Sequence, residues 1–410
     1  MIDIKMIHAR QILDSRGNPT VECEVMLKSG QVGTGISPSG ASTGKLEAIE
    51  LRDNDENKFN GKSVYTAVNN INTTIKKNIT GRSFTNQEEF DDTLIELDGT
   101  KNKKNLGANA ILATSIAFCK ARSILEGVEL FQLFGDSCSL PVPLMNILNG
   151  GAHANNKLDF QEFMIIPVNF PSFSSSLQAG CEVFHSLKNQ LSKQSLSTAV
   201  GDEGGFAPNF ESNQFVIEEI IKAIEGIGLK YADDIFLGLD CAASELYVKD
   251  TYQLKSEGNE FDSDEMIEYL ISLINKYQIF SIEDPLDESD WGGWKKFTTK
   301  VNDLQIVGDD IFVTKKEFLE RGIVEKVANS ILIKPNQVGT LTETLQTVHL
   351  AKSNDYGTII SHRSGETEDT FIADLAVGVD AKQIKTGAPA RSDRTAKYNR
   401  LLMIENELYP

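Results

Sequence analysis

The sequence predicts an α/β fold in which an N-terminal α+β domain, residues 1–135, precedes and caps a C-terminal β/α barrel, residues 136–410. Two observations favour this architecture. At 410 residues the chain is too long for one compact core and suits about two domains. Short apolar segments also recur along the C-terminal part, with segments of helical character between them. The turn residues of LFGDSCSLPVP, around residue 135, mark the boundary.

The N-terminal domain is predicted from local periodicity. Alternating apolar and polar residues indicate two strands, at residues 2–13 and 19–27. Residues 107–126 are rich in Ala, Leu and Ile and predict a largely buried helix that ends at Gly127. Residues 33–44 (GTGISPSGASTG) are mostly small and offer little to pack, so we expect a mobile loop with a functional role.

The barrel is predicted from a regular spacing of apolar segments, each of which ends in a polar residue. These end residues are separated by 43, 26, 25, 28 and 23 positions, and they are Asp240, Glu283, Asp309, Lys334, His362 and Lys385. Most of these spacings suit one strand, a loop and a helix, which predicts a parallel sheet covered on both faces. Repeated units of this kind predict a TIM-like barrel, where reactive residues gather at the C-terminal ends of the strands. The alternative is that strands simply end in polar residues.

Three of these end residues are carboxylates, Asp240, Glu283 and Asp309. On adjacent strands they would repel one another unless a cation lies between them. Hard oxygen ligands in this number suit Mg²⁺. The alternative is that each caps a helix or pairs with a neighbouring base. Asp310 is expected to support the site from behind, and Asp284 is interpreted as a loop residue rather than a ligand.

Two lysines, Lys334 and Lys385, end strands on the same predicted rim. A lysine beside divalent cations is shifted toward the neutral amine, the form that abstracts a proton. Pro335 restricts Lys334 to an extended backbone, as expected at a strand end. Ordinary surface lysines are the alternative, which the apolar residues before Lys334 disfavour.

Other candidate residues lie in loops and at one strand start. Residues 361–365 (SHRSG) join an imidazole, a guanidinium and two hydroxyls, and Arg363 suits bidentate binding of phosphate. His153 follows two glycines, Glu203 lies among three, and Glu162 opens the apolar segment EFMIIP. The alternatives are that SHRSG is only a capped loop, that His153 is a structural histidine, and that Glu203 belongs to an acidic turn.

Composition limits the possible partners and compartment. A net charge of −19 argues against nucleic acid and anionic membranes as partners. Five cysteines without a CxxC pair suit a reducing cytosol. The sequence shows no apolar run of about 18 residues and no signal-peptide core at its start, so we expect a cytoplasmic protein without a membrane span. Leu46 after Gly44-Lys45 excludes a nucleotide-binding P-loop.

From one end to the other, the sequence resembles the enolase family. Eleven segments carry the resemblance in order, at residues 14–22, 38–53, 106–115, 141–167, 200–209, 238–247, 281–291, 308–314, 330–344, 361–370 and 383–402. The resemblance implies a barrel of the enolase type and reversible dehydration of 2-phosphoglycerate to phosphoenolpyruvate, in glycolysis and gluconeogenesis. It also implies a homodimer or a higher homo-oligomer.

The resemblance also implies a role for each site residue. Lys334 would remove the proton next to the substrate carboxylate, and Glu203, with Glu162 beside it, would help the hydroxyl leave. Two Mg²⁺ ions would stabilise the negative charge that develops, as this superfamily is known to do. Their implied ligands are Asp240, Glu283 and Asp309 for the first ion and Ser42 for the second. The implied substrate-binding residues are His153, Gln161, His362, Arg363, Ser364 and Lys385.

Two other functions are compatible with such a fold. A superfamily enzyme acting on an unphosphorylated carboxylate would lack the Arg363-Ser364 pair. An inactive binding or structural protein would have lost Lys334, Glu203 or a metal ligand. All of these residues are present. The departures from the family pattern are confined to Asn155 and Lys157 in a loop, and to Pro335.

Overall fold

A computed structural model of the chain describes residues 1–41, 44–135, 138–301 and 303–410. It confirms the predicted fold class, an N-terminal α+β part followed by a barrel that, within these ranges, closes with eight strands. The predicted boundary between residues 1–135 and 136–410 adjoins positions outside the described residues and stays a prediction. None of the described helices combines the length and apolar character needed to cross a membrane.

The N-terminal part is an antiparallel sheet covered on one face by helices. Its strands are β1 (Ile2–Leu13), β2 (Pro19–Leu27), β3 (Val32–Ile36) and β4 (Ser83–Phe84), and its helices are α1 (Tyr65–Asn70), α2 (Lys76–Ile79), α3 (Gln87–Asp98) and α4 (Ala108–Glu126). The sheet order is β3-β2-β1-β4. The two predicted strands and the helix at 107–126 are confirmed, and Gly127 ends α4 in a left-handed conformation.

The prediction of a loop over residues 33–44 is wrong for its first part, because residues 32–36 form strand β3. A Cβ atom on Gly33 would lie 2.1 Å from the carbonyl oxygen of Ala117, and one on Gly35 would lie 2.3 Å from that of Ala113. Helix α4 therefore rests directly on the backbone of β3. The small residues serve close packing between a strand and a helix rather than mobility.

Most consecutive strands of the barrel are separated by helices. Its strands are β5 (Val142–Asn149), β6 (Glu162–Pro167), β7 (Ile235–Asp240), β11 (Ser281–Glu283), β12 (Gln305–Gly308), β13 (Ser330–Ile333), β14 (Gly357–Ser361) and β15 (Gln383–Lys385), and a small outer sheet contains β8 (Tyr247–Val248), β9 (Thr251–Leu254) and β10 (Asn259–Phe261). The helices are α5 (Phe173–Lys193), α6 (Asn213–Glu225), α7 (Ala243–Leu246), α8 (Ser263–Tyr277), α9 (Trp291–Lys300), α10 (Lys316–Glu325), α11 (Pro335–Val338), α12 (Leu341–Ser353), α13 (Phe371–Gly378) and α14 (Ser392–Leu408). Leu144, Met164, Ile166 and Leu332 are among the buried side chains of a small separate core cluster contributed by the strands.

One strand departs from the expected parallel sheet. Strand β6 runs antiparallel to both of its neighbours, β5 and β7, whereas the remaining barrel pairs are parallel. The reversal brings Glu162, the first residue of β6, opposite Asp240, the last residue of β7. An acid at the start of a strand thereby reaches the rim where the other strands end.

The N-terminal part is fixed to the barrel by polar contacts at the start of α12. The buried Asp91 of α3 accepts hydrogen bonds from the backbone N–H and the hydroxyl of Thr342, at 2.9 and 2.7 Å. A carboxylate is favourable at a helix N-terminus, although burial raises the pKa of Asp91 to about 6. Lys103 adds an ion pair with Glu343 at 2.8 Å. These contacts hold the N-terminal part over the rim.

The close contact between β3 and α4 can be tested with Gly35→Ala. A methyl group at this position would overlap backbone atoms of Ala113 and Ala117. We expect the free energy of unfolding, measured by urea denaturation, to fall by about 1–3 kcal/mol. Gly292→Ala is the matched control, because its nearest neighbour would be an Asp290 oxygen at 3.9 Å. Equal stability of the two variants would contradict this packing.

Candidate active site

The candidate site lies in a pocket at the barrel rim, below the N-terminal part. Among the residues that line it are the ends of β7, β13 and β15, the start of β6, and Gly40 and Ala41 from the N-terminal part. Of the predicted site residues, those lining the pocket are His153, Gln161, Glu162, Glu203, Asp240, Asp309, Lys334, His362, Arg363, Ser364 and Lys385. Glu283 adjoins it through Lys385. Ser42 lies outside the described residues.

Lys385 is the centre of the largest ion-pair cluster in the pocket. Its Nζ lies 2.8 Å from Glu283 Oε2, 3.1 Å from Glu162 Oε2 and 3.2 Å from Asp240 Oδ2. Burial alone would lower the pKa of the Lys385 ammonium, but these carboxylates raise it well above its ordinary value. Lys385 is therefore a fixed positive charge between two of the predicted metal ligands.

Lys334, the second lysine of the pocket, pairs with Asp309, the third predicted metal ligand. Lys334 Nζ forms an ion pair with Asp309 Oδ2, and Gln337 donates to the other oxygen of Asp309 at 2.9 Å. Burial lowers the pKa of Lys334, but the charge of Asp309 outweighs it and raises the pKa. The amine is thus held protonated in this arrangement. Lys334 has the predicted extended backbone, and Pro335 follows as the first residue of α11, where a missing N–H costs little.

Asp309 also belongs to a compact acid group with Asp284 and Asp310. Ligand oxygens of these three residues lie within 4.8 Å of one another, close enough to hold a metal ion. Asp284 accepts hydrogen bonds from the backbone N–H groups of Asp309 and Asp310, both at 2.9 Å. It is a loop residue as predicted, but it is buried and closer to the site than its sequence position indicated.

Across the pocket, two glutamates lie beside two histidines. His153 Nδ1 lies 3.5 Å from carboxylate oxygens of both Glu162 and Glu203, and His362 Nε2 lies 3.3 Å from Glu203. Burial and the charge of Glu203 raise the pKa of Glu162 well above its usual range. Burial would also raise the pKa of Glu203, but His153 and His362 hold it well below. The two glutamates therefore do not ionise independently of each other.

The SHRSG segment faces the N-terminal part. The Arg363 guanidinium donates to Glu47 in two bonds of 3.0 and 3.2 Å, and to Asn336 at 3.3 Å. The Ser364 hydroxyl accepts from the backbone N–H of Ala41 at 2.5 Å. The residues predicted to bind phosphate therefore lie beside the segment that leads to residues 42–43.

The charges in the pocket do not balance. The site contains the five buried carboxylates that were predicted as site residues, together with Asp284 and Asp310. The positively charged side chains that oppose them are Lys334, Lys385 and Arg363. Burial, followed by the charge of Asp240, raises the pKa of Glu283 to about 8. Burial and Asp309 likewise raise the pKa of Asp310 to about 8. Such an acid excess suits a site for an added cation.

Four residues around the pocket were not identified from the sequence. They are Glu47, which pairs with Arg363; Asn146, which donates to Glu203 at 2.9 Å; Gln337; and Arg394, which contacts His362. Each acts through a partner far away in the chain. The sequence gives no local signal for such pairs.

The N-terminal α+β part closes over a barrel, and the rim of this barrel carries buried acids and lysines. These features define a β/α-barrel protein with an enzyme-like site. Two family models match it. The model described as "Enolase, N-terminal domain" matches residues 4–134, and "Enolase, C-terminal TIM barrel domain" matches residues 137–409. The chain belongs to the enolase family. It is therefore an enzyme, and the family indicates a lyase.

The charge of Lys385 can be tested with Lys385→Met, which preserves a chain of similar size. Removing the ammonium leaves Glu283, Glu162 and Asp240 without their common partner. We expect the free energy of unfolding in metal-free buffer to fall by about 3–5 kcal/mol.

The matched control for this test is Lys382→Met. The Lys382 side chain is 75% exposed and pairs with Asp380 at the surface, so we expect a change of about 1 kcal/mol or less. A denaturation midpoint of Lys385→Met equal to that of the unmodified protein would contradict the central position of Lys385.

Proposed function

We propose that the protein catalyses the reversible dehydration of 2-phosphoglycerate to phosphoenolpyruvate with the help of Mg²⁺. The observation that carries this proposal is the meeting of three kinds of group in one pocket: the Lys334 amine, the rim carboxylates, and the Arg363-Ser364 pair. A base, an acid pair and an anion-binding pair are what the elimination of water from a phosphorylated hydroxy acid requires.

The donor set fits a hard divalent cation. Asp240, Glu283 and Asp309 provide carboxylate oxygens at the ends of, or just after, three adjacent strands, β7, β11 and β12. The excess of acids over bases also favours an added positive charge, and Mg²⁺ prefers oxygen ligands. We propose that these three residues hold the first Mg²⁺ and that Ser42 contributes to a second. Bound Mg²⁺ would neutralise the substrate carboxylate and the further negative charge that forms on it.

For Asp240, Glu283 and Asp309 to bind a cation, Lys385 must release Asp240 and Glu283. Its Nζ contacts Asp240 and Glu283 directly. These two carboxylates would hold a divalent ion only with oxygens that now accept from the Lys385 ammonium. We propose that the released Lys385, together with Gln161, then binds the substrate carboxylate. Gln161 already donates to Asp240 at 3.2 Å, so it lies within reach of the same position.

Lys334 is proposed as the base that removes the carbon-bound proton. It is protonated while it pairs with Asp309. A cation held by Asp309 would take away the counter-charge of the ammonium and would lower the pKa of Lys334. Lys334 would then be the neutral amine that accepts the proton.

The proton for the leaving hydroxyl is proposed to come from the glutamate pair. Glu162 and Glu203 have carboxylate oxygens within 4.8 Å of each other. We propose that Glu203 delivers this proton, with Glu162 beside it, while His153 and His362 orient the two carboxylates. The hydroxyl then leaves as water rather than as hydroxide.

The phosphate group is proposed to bind at Arg363 and Ser364. A guanidinium binds phosphate oxygens with two parallel hydrogen bonds. Because Glu47 holds Arg363 in a bidentate pair, the phosphate must share or replace that partner. We further propose a cytoplasmic protein that assembles as a homodimer or a higher homo-oligomer and acts on this small phosphorylated substrate, in glycolysis and gluconeogenesis.

The proposed reaction can be tested by following the absorbance of phosphoenolpyruvate after mixing the protein with 2-phosphoglycerate and Mg²⁺. We expect turnover that stops when a chelator is added and resumes with excess Mg²⁺. Glycerate, which lacks the phosphate, should not be converted. Conversion of glycerate but not of 2-phosphoglycerate would favour a different enzyme of the superfamily, and no conversion of either would contradict the proposal.

The role of Lys334 can be tested with Lys334→Ala. We expect kcat to fall by about 10²–10⁴-fold, the range that a positioned general base contributes. Circular dichroism and calorimetric Mg²⁺ binding should be preserved, because Lys334 is not among the proposed ligands. Lys316→Ala, at an exposed lysine of α10, is the control and should retain full activity. Turnover of Lys334→Ala near the unmodified rate would exclude the base role.

A further inference from the structure

Arg394 on α14 is a completely buried arginine directly behind the glutamate–histidine side of the pocket. Its guanidinium donates to the backbone carbonyls of Arg363 and Ser364, both at 2.6 Å, and to that of Asp202 at 3.1 Å. Its Nε also lies 2.8 Å from Asp393. One side chain thus joins the segment that carries His362 to the segment that carries Glu203.

The same guanidinium contacts the ring of His362. The hydrogen bond joins Arg394 Nη1 to His362 Nδ1. A guanidinium has only donors, since it stays protonated in proteins. His362 Nδ1 must therefore be the acceptor, and the ring proton of the neutral imidazole must lie on Nε2. That nitrogen lies 3.3 Å from Glu203 and can donate only to it or to a bound ligand.

The surrounding backbone leaves room for this arginine. Gly387 has a φ of +80°, and a Cβ atom there would lie 2.9 Å from Arg394 Cδ and 2.7 Å from the carbonyl oxygen of Glu203. Gly204 has a φ of +88°, and its Cβ would lie 2.7 Å from the carbonyl of Ala390. Both positions favour glycine, and both allow the loop after β15 to pack against the Glu203 segment.

We propose that Arg394 is a positioning residue that fixes His362 as the Nε2–H tautomer, so that His362 directs its N–H toward Glu203, whose carboxylate oxygen lies 3.3 Å away. The charged groups that act on His362 are Glu203 and Arg394, with Lys385 further away. The tautomer follows from the donor chemistry of arginine alone. Its consequence for turnover rests on the proposed function.

The tautomer can be measured without any activity assay. The chain contains five histidines, and ¹⁵N labelling of their rings separates a protonated nitrogen from an unprotonated one by chemical shift. The His362→Gln variant assigns the signal by its loss. In the unmodified full-length protein at neutral pH, we expect a protonated Nε2 and an unprotonated Nδ1. A proton on Nδ1, or a doubly protonated ring, would overturn the proposal.

Arg394→Lys tests the dependence on the guanidinium. A lysine keeps the positive charge but cannot reach the imidazole and three carbonyls together. We expect a mixture of the two His362 tautomers, and at least a tenfold loss of kcat with less than a threefold change in KM. Arg400→Lys is the matched control on the same helix, since Arg400 pairs with Asp374 away from His362. We expect this control to keep the single tautomer and the kcat of the unmodified protein.

Two outcomes separate this inference from the proposed function. A pure Nε2–H tautomer in Arg394→Lys would show that other contacts fix the ring, and it would overturn the role of Arg394 even if turnover fell. If the unmodified protein fails to convert 2-phosphoglycerate, the proposed function fails, whereas the tautomer measurement still decides the assignment. If Arg394→Lys does not fold, the ring spectrum of the unmodified protein remains decisive.

Discussion

The site depends on the balance between a cluster of buried carboxylates and the few cations that neutralise them. Ionised groups away from water are costly unless they are paired. Lys385 joins Glu162, Asp240 and Glu283, while Lys334 holds Asp309. Burial and the excess of neighbouring acids raise the pKa of Glu283 to about 8. The same imbalance destabilises the ligand-free pocket and suits it to an added cation.

The fold creates this balance through strand direction and domain closure. The reversed strand β6 adds Glu162 to a rim otherwise formed by strand ends. The N-terminal part supplies Glu47, whose carboxylate neutralises Arg363 from above. The position of the N-terminal part depends in turn on the Asp91–Thr342 contact and on the packing of α4 against β3. Packing far from the pocket therefore determines which charges meet inside it.

Much of this architecture could be predicted from local sequence patterns. The strands at 2–13 and 19–27 alternate clearly, and the predicted strand ends Asp240, Glu283 and Lys385 are the last residues of their strands. The strand at 32–36 was missed because its glycines pack against α4, some eighty residues later. The direction of β6 and the pairing of Arg394 with His362 depend on contacts between distant segments, which periodicity cannot reveal. The roles of the site residues came from the family resemblance and stay predictions.

The most direct measurement is anomalous diffraction from crystals of the protein soaked with Mn²⁺, a stand-in for Mg²⁺ with similar oxygen ligands. We expect an anomalous peak coordinated by Asp240, Glu283 and Asp309, with the Lys385 ammonium displaced from Glu283. A peak elsewhere would contradict the proposed metal site. The same holds if no peak appears and Lys385 keeps its three carboxylate partners, although the protein is active in the same Mn²⁺ solution.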